Sequence, residues 1–156
     1  MKVIHEAADG VFKVDDENDI YSFTWIGTVS EETTKRILSV ASKAIAAKDK
    51  INWLVDRHEQ DGFTPEARVW IKTRFITDLG IELIKKTHKV AAIVSQHEIT
   101  EITSSVMMDA IQKVNPRIEY RSFDGAGYAL NWLTSGLQPS QKSKSERLKK
   151  LFRRSK

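Results

Sequence analysis

The sequence contains no cysteine, and it has only three prolines and seven glycines among 156 residues. The absence of cysteine excludes disulfides, thiolate nucleophiles and zinc–thiolate sites. Few prolines and glycines, together with 40% apolar and 29% charged residues, are typical of a folded globular chain. A chain of this length can bury one hydrophobic core without a metal or disulfide to stabilise it. We therefore expect one domain that is held together by ordinary packing.

Long apolar runs are also absent. No segment approaches the roughly 20 apolar residues that a membrane-spanning helix needs, and Met1 to Glu6 show no apolar core of a signal peptide. We therefore expect a cytoplasmic protein. The net charge of +4 is unevenly distributed, because residues 142–156 carry eight basic residues and one acidic residue. Residues 1–141 then carry 17 basic and 20 acidic residues, a balance of −3, so specific nucleic-acid binding is not expected.

The apolar pattern predicts strands and helices in alternation. Ser30 and Thr64-Pro65 are typical of helix starts, and Gly80 of a helix end. The predicted strands are 2–7, 11–14, 19–26, 51–56, 89–94 and 118–122, and the predicted helices are 31–48, 65–79 with a further turn at 81–86, 97–113 and 124–133. This order predicts an α/β fold, in which helices flank a mixed, partly parallel sheet. We divide the chain into an α/β domain at 1–134 and a polar linker with a basic amphipathic tail at 135–156.

Polar side chains follow three of the predicted strands. Asp56, Arg57 and His58 follow the strand 51–56, while His97 and Asp124 follow two later strands. Ligands of open α/β sheets bind at the carboxyl ends of strands, so these residues are candidates for a ligand or partner site. They could also do acid–base chemistry, but no HExxH or similar spacing accompanies them. The alternative is that Asp56 caps the local turn and the histidines are solvated; we predict no catalytic residue and no metal site.

The four tryptophans have two possible roles. Trp25, Trp53 and Trp132 lie at apolar positions of periodic segments, which predicts core packing. Trp70, on the second predicted helix, is a candidate for lining a ligand or partner groove. No glycine-rich phosphate loop and no GxSxG turn is present, so a nucleotide site and a nucleophilic serine are not predicted.

The tail combines an apolar triplet, Leu148, Leu151 and Phe152, with basic residues. Such a segment can bind an anionic membrane surface or an acidic partner, and its alternative role is only to aid solubility. The basic residues of this segment are Arg147, Lys149, Lys150, Arg153 and Arg154.

The order of elements and several short motifs resemble small bacterial STAS-like proteins, and more narrowly the SpoIIAA-like group that shares its fold with the CRAL-TRIO domain. The motifs are Trp25-Ile26-Gly27, the strand Asn52 to Asp56, Trp70, the strand Lys89 to Val94, and Phe123 with Ala129 to Trp132-Leu133. The resemblance covers about residues 2–134. It implies a mixed sheet flanked by helices, a frequent homodimer and no required cofactor.

STAS-like proteins regulate partners or sense ligands, and their phospho-switched members carry an Asp-Ser pair after the strand that matches 51–56. Here Arg57 follows Asp56, so the phosphorylation switch is not expected. The CRAL-TRIO side of the resemblance implies an apolar ligand cavity. We therefore hold two hypotheses: a non-catalytic regulatory or protein-interaction module, with the first or second helix as the contact surface, and a carrier or sensor of a small apolar, lipid-like ligand.

Overall fold

The computed structural model describes residues 1–94 and 107–135. The strands are β1 (Lys2–Ala7), β2 (Gly10–Asp15), β3 (Ile20–Trp25), β4 (Gly27–Val29), β5 (Ile51–Asp56), β6 (Gln60–Phe63), β7 (Thr87–Ile93) and β8 (Glu119–Phe123). The helices are α1 (Glu31–Ala44) with a 3-10 turn at Ile45–Ala47, α2 (Pro65–Trp70) continuing as a π-helix at Ile71–Leu79, α3 (Ile81–Lys86), α4 (107–114) and α5 (Ala126–Thr134).

Six strands form one mixed sheet in the order β1-β2-β3-β5-β7-β8. The first three form an antiparallel meander, and β3, β5, β7 and β8 then run parallel to one another. The predicted α/β fold with a partly parallel sheet is therefore confirmed. No described helix is both long enough and apolar enough to cross a membrane.

Helices cover the two faces of the sheet unequally. The larger core lies on the face that packs against α1, the π-helix, α3 and α4, and it contains the aromatic side chains of β2, β3 and β5. The smaller core lies on the other face, where α5 covers β5, β7 and β8. Because helices cover both sides of the parallel strands, their apolar runs are continuous, as the sequence indicated for 51–56 and 89–94.

Several details differ from the sequence prediction, including the start of α5 at Ala126 instead of residue 124. The segments that begin at Gly27 and Gln60 pair as the short parallel strands β4 and β6. The sequence pattern did not predict these strands, because they contain turn-forming residues. Strand β7 begins at Thr87, two residues earlier than predicted. The predicted helix 65–79 is α-helical only to Trp70 and then becomes a π-helix. Of the predicted helix 97–113, only the part from residue 107 lies within the described residues.

Asp9 ties the β1–β2 turn to the start of α1. Its carboxylate accepts hydrogen bonds from the Ser30 backbone N–H and the Thr33 hydroxyl, while the Ser30 side chain accepts from the Thr33 backbone N–H as predicted for an N-cap. Burial acts to raise the pKa of Asp9, but these hydrogen bonds outweigh it and hold the pKa below its ordinary value of 3.8.

This linkage predicts a pH dependence of stability. Because the pKa of Asp9 is lowered in the folded state, its contribution is fully present above the unfolded pKa and is lost as pH falls through the folded pKa. We expect Asp9→Asn to lower the free energy of unfolding by about 1 kcal/mol at pH 7, and the difference should shrink at pH 3. Urea denaturation at both pH values measures it. The exposed Asp49→Asn is the control. An equal loss of unfolding free energy in the two variants would contradict the proposed role of the Asp9 hydrogen bonds.

The π-helix ends at Gly80, where the packing leaves no room for a side chain. The Gly80 backbone N–H donates to the Phe75 carbonyl oxygen at 2.7 Å, five residues earlier, as π-helical bonding requires. A Cβ at Gly80 would lie 2.4 Å from two ring carbons of Phe75 and 2.6 Å from its carbonyl oxygen. The absence of a side chain at this position is therefore a packing requirement.

We expect Gly80→Ala to destabilise the protein by about 1–3 kcal/mol, because Phe75 must move out of its packed position. Gly127→Ala is the matched control, since no atom lies within 4 Å of a Cβ there and residue 127 lies within α5. That control should be neutral or stabilising by up to about 1 kcal/mol, because alanine favours helix. Urea titration of both variants tests the pair, and equal stabilities would refute the close-packing argument.

Strand β1 is an edge of the sheet and carries exposed apolar side chains, Val3 and Ile4. Its pairing with β2 is regular at both ends but shifts by one residue between Val3 and His5, which is a β-bulge. The bulge bends the edge strand at the position of these apolar residues.

Candidate functional site

The site begins with the alternation of side chains along β5. Trp53 and Val55 point to the larger core, and Arg57 continues this series one residue beyond the end of the strand. The Arg57 backbone N–H donates to the Ile93 carbonyl oxygen at 3.2 Å, so the ladder with β7 extends to this residue. Because side chains alternate between the two faces of a strand, the Arg57 side chain points to the larger core, beneath the helices.

A cavity of about 80 Å³ lies between the sheet and the helices on this face. Apolar side chains form most of its wall, and Trp25, Trp53, Arg57 and Tyr120 are the lining residues that carry side-chain nitrogen or oxygen among those the structure describes. The other lining residues are Phe23, Leu38, Val55, Phe63, Ile71, Phe75, Val90, Ala92, Met107, Met108 and Ile111.

The cavity is small. Sites for drug-sized ligands measure roughly 300–1,000 Å³, and an apolar cavity of about 150 Å³ in another protein binds benzene. A space of 80 Å³ is thus too small for a lipid chain in this conformation. Met107 and Met108 lie in its wall, and methionine side chains can change rotamer at little cost, so modest enlargement is feasible.

Arg57 provides the charged end of the cavity. Its side chain is only 3% exposed, and one guanidinium nitrogen lies 3.3 Å from the Tyr120 hydroxyl oxygen. The hydroxyl of the exposed Ser122, which follows Tyr120 on the same face of β8, lies 3.3 Å from the same oxygen. Tyr120 is half-buried, so this polar end lies nearer the surface than the apolar end of the cavity.

Trp53 carries a buried donor. Its side chain is 5% exposed, and no acceptor for the indole N–H lies among the described residues. Leaving such a donor unsatisfied costs about 1–3 kcal/mol. The register Trp53↔Val90↔Tyr120 places this side chain in the same row of the sheet as Tyr120, separated by one strand.

The predicted site residues are not brought together as one cluster. Asp56 lies on the opposite face from Arg57, and its carboxylate accepts a hydrogen bond from the His58 backbone N–H at 3.0 Å, which caps the turn. His58 is exposed. The row Asp56↔Ile93↔Phe123 puts Asp124 two strands away from Asp56, or about 10 Å. His97 and the tail residues 147–154 lie outside the described residues, so their roles stay predictions.

Trp70 belongs to a separate, outer groove. This groove of about 460 Å³ lies between the start of α1 and α2, and it is lined by Glu31, Pro65, Glu66, Val69, Trp70 and Thr73. The Trp70 ring stacks on Phe75 with centroids 6.2 Å apart, and Phe75 also lines the inner cavity. Each ring of this stacked pair therefore lines one of the two spaces.

The described part of the chain holds no group of three or more histidine or carboxylate side chains that could bind a metal ion. A model of the SpoIIAA-like family matches residues 20–134, which is more than half of the chain. The chain belongs to the SpoIIAA-like family. This confirms the resemblance drawn from the sequence.

One solved structure similar to this SpoIIAA-like chain is that of an uncharacterised DUF3478-family protein from Shewanella loihica with a SpoIIAA-like fold. The TM-score is 0.60 at 23% sequence identity, over 83% of this chain and 97% of the other. At that identity the similarity shows the fold alone. No curated protein matches the chain.

Sequence reasoning grouped Arg57 with Asp56 and His58 and did not include Tyr120 or Trp53 in this SpoIIAA-like site. The signal for Arg57 was available, because Trp53, Val55 and Arg57 alternate along one strand. Tyr120 could not be found in this way, since its contact with Arg57 joins residues 63 positions apart.

Neighbouring alanines on β7 test the packing around the cavity of this SpoIIAA-like domain. Ala92 lines the cavity, whereas Ala91 packs in the smaller core beneath α5. We expect Ala92→Val to be neutral or to raise the free energy of unfolding by up to about 1 kcal/mol, since its added methyl groups fill empty space. Ala91→Val should cost about 1–3 kcal/mol through overpacking. Urea denaturation compares them, and an equal loss in both would show that no space exists beside Ala92.

Proposed function

We propose that this SpoIIAA-like protein is a non-catalytic regulatory domain that binds a small, largely apolar molecule in the cavity between its sheet and its helices. The observation that carries the proposal is the cavity itself, whose lining residues, among those that the structure describes, are apolar except for a few polar groups. A small number of polar groups on an apolar wall is the usual composition of a small-molecule site.

The surroundings of the predicted acid–base residues support a non-catalytic role. The Asp56 carboxylate caps its own turn, and the exposed His58 contributes its backbone N–H to that cap. A carboxylate used in this way positions a loop, which is the local role that the sequence left open for Asp56.

A second candidate function, the recognition of a protein partner, is supported by the outer groove. Val69 is 60% exposed, and it lines this groove together with Trp70, Pro65 and two carboxylates, Glu31 and Glu66. An aromatic ring with a neighbouring exposed aliphatic side chain is typical of an interface anchor. The Trp70–Phe75 stack would let a ligand in the cavity influence this groove, which joins the two hypotheses. Homodimer formation and membrane contact through the tail remain proposals of the same kind.

Binding of neutral apolar probes tests the first proposal. We expect isobutanol or benzene to bind with a dissociation constant near 1 mM, about −4 kcal/mol, and to change the tryptophan fluorescence because Trp25 and Trp53 line the cavity. Ala92→Val should abolish the saturable change, since its side chain occupies the cavity, and Ala91→Val should retain it.

Native mass spectrometry of the purified protein complements the titration by detecting a retained small molecule. If the wild-type protein shows neither a saturable response to any neutral probe nor releasable mass, the ligand-binding function is wrong. In that case a pull-down with Trp70→Ala as the control variant would examine the outer groove instead.

A further inference from the structure

Helix α5 covers only part of the sheet face on which it lies. It packs against β5, β7 and β8, whereas β2 and β1 lie two and three strands beyond β5, at roughly 10 and 14 Å. The row Val3↔Lys13↔Ser22↔Leu54 places the Val3 side chain on this face, because Leu54 lies in the smaller core beneath α5. Val3 is 48% exposed. We call the part of this face that β1 and β2 form the β1–β2 face.

Aliphatic side chains are exposed on the β1–β2 face. Ile4, which lies in the bulge beside Val3, is 41% exposed, and Val11 in the next row is partly exposed. The charged side chains in the middle of this face, Lys13 and Glu6, have opposite signs and balance each other. Covering such a surface with apolar side chains is favourable, because it removes apolar area from water.

A strongly acidic turn borders the β1–β2 face. Asp15 stays charged at neutral pH, because hydrogen bonds from the Asn18 side chain and from two backbone N–H groups hold its pKa below the ordinary value of 3.8. Lys48 contacts two further carboxylates of the turn at 3.3 and 2.9 Å. Among the described residues, four acids thus share this one lysine, which leaves a balance of −3. The four acids of this acidic turn are Asp15, Asp16, Glu17 and Asp19.

Helix α5 ends beside the acidic turn, and Asn52 links the two. The Asn52 backbone N–H donates to the Asp19 carbonyl oxygen at 2.9 Å, and the Asn52 side-chain amide donates to the Leu133 carbonyl oxygen at 3.5 Å. The Lys89 ammonium group also holds this end of the helix, through a hydrogen bond to the Ser135 hydroxyl at 3.4 Å. The chain therefore leaves α5 at the edge of the sheet where the acidic turn lies.

The basic segment of the tail, residues 147–154, complements this surface. It combines five basic residues with the triplet Leu148, Leu151 and Phe152, so it offers both positive charge and apolar groups. Twelve residues, 135–146, connect it to α5. Polar chains of that length span roughly 20 Å on average, which exceeds the roughly 14 Å from β5 to β1. A tether that matches its span in this way gives an effective concentration of roughly millimolar.

We propose that the basic segment binds the β1–β2 face of its own chain, with its apolar triplet against Val3, Ile4 and Val11 and its basic side chains beside the acidic turn. This inference does not depend on the cavity or on the proposed function. It makes the tail an internal partner of the domain. The same basic side chains are then withheld from a membrane or from an acidic protein until the segment is released.

Paramagnetic relaxation measures this contact in the full-length protein. Because the chain contains no cysteine, Ser155→Cys accepts a single spin label beside the basic segment. We expect the label to broaden the amide signals of Val3 and Val11 at least about threefold more than that of Val69, because the tethered segment is mostly bound. Val69 is exposed on α2, over the larger core. Equal broadening at the three positions would mean an unbound tail and would overturn the proposal.

A mixed sample distinguishes binding within one chain from binding between two copies. Spin-labelled chains at natural isotope abundance are mixed with unlabelled chains that are enriched in nitrogen-15. We expect no broadening of the Val3 and Val11 signals in this mixture, because the segment occupies the face of its own chain. Broadening as strong as that within the labelled chain would assign the segment to a second copy and refute binding within the chain.

Charge variants test the role of the acidic turn. Asp16→Asn combined with Glu17→Gln should reduce the broadening at Val11 at least about twofold, and high salt should act in the same direction by screening the charges. Asp78→Asn combined with Glu82→Gln is the matched control, since both residues are exposed on helices over the larger core. This control should leave the broadening unchanged, and an equal effect of the two pairs would exclude the acidic turn from the binding surface.

A pair of aliphatic variants tests the apolar contact. Val3→Asp should reduce the broadening at Val11, because it places a charge where the apolar triplet binds. Val69→Asp, a substitution at an equally exposed valine on α2, should have no effect. The amide shifts of the sheet report whether each variant is folded. Unchanged broadening in a folded Val3→Asp variant would refute docking on the β1–β2 face.

Discussion

The parallel register of β5 against β7 is the constraint on which the rest of the site depends. In this register Asp56 pairs with Ile93, and the Arg57 backbone N–H extends the hydrogen-bonded ladder by one residue. Successive side chains on a strand point to opposite faces, so Asp56 and Arg57 cannot belong to one cluster. The Asp56 carboxylate therefore caps a loop, and the Arg57 side chain enters the apolar layer beneath the helices. A shift of one residue would exchange the two and leave a carboxylate in the cavity.

Much of the fold was predictable because its signals are local. The Ser30 and Thr64-Pro65 helix starts, the two continuous apolar strands and the aromatic alternation in β3 each follow from a few neighbouring residues. The π-helix was not predictable in this way, because an α-helix and a π-helix present similar periodic patterns. The bond from the Gly80 N–H to the Phe75 carbonyl oxygen, and the lack of room for a side chain at Gly80, are visible only in the folded structure.

The site was predictable only in part, for a related reason. Strand alternation indicates that Arg57 shares a face with Trp53, but a sequence does not show that the helices leave space above them. The Trp53 indole N–H, which has no acceptor among the described residues, and the Arg57–Tyr120 contact both depend on three strands and one helix layer together. The sequence analysis grouped Asp56, Arg57 and His58 because they are neighbours in the chain. In the folded structure their side chains point in different directions.

The bulge in β1 bears on how two copies of the chain can meet. An uninterrupted edge strand with exposed Val3 and Ile4 would present a regular row of N–H and C=O groups to any other chain, with apolar side chains to reinforce the pairing. The shift in register between Val3 and His5 interrupts this row of backbone groups at the position of the exposed apolar side chains. The bulge therefore disfavours edge-to-edge pairing of β1 with a strand of another chain.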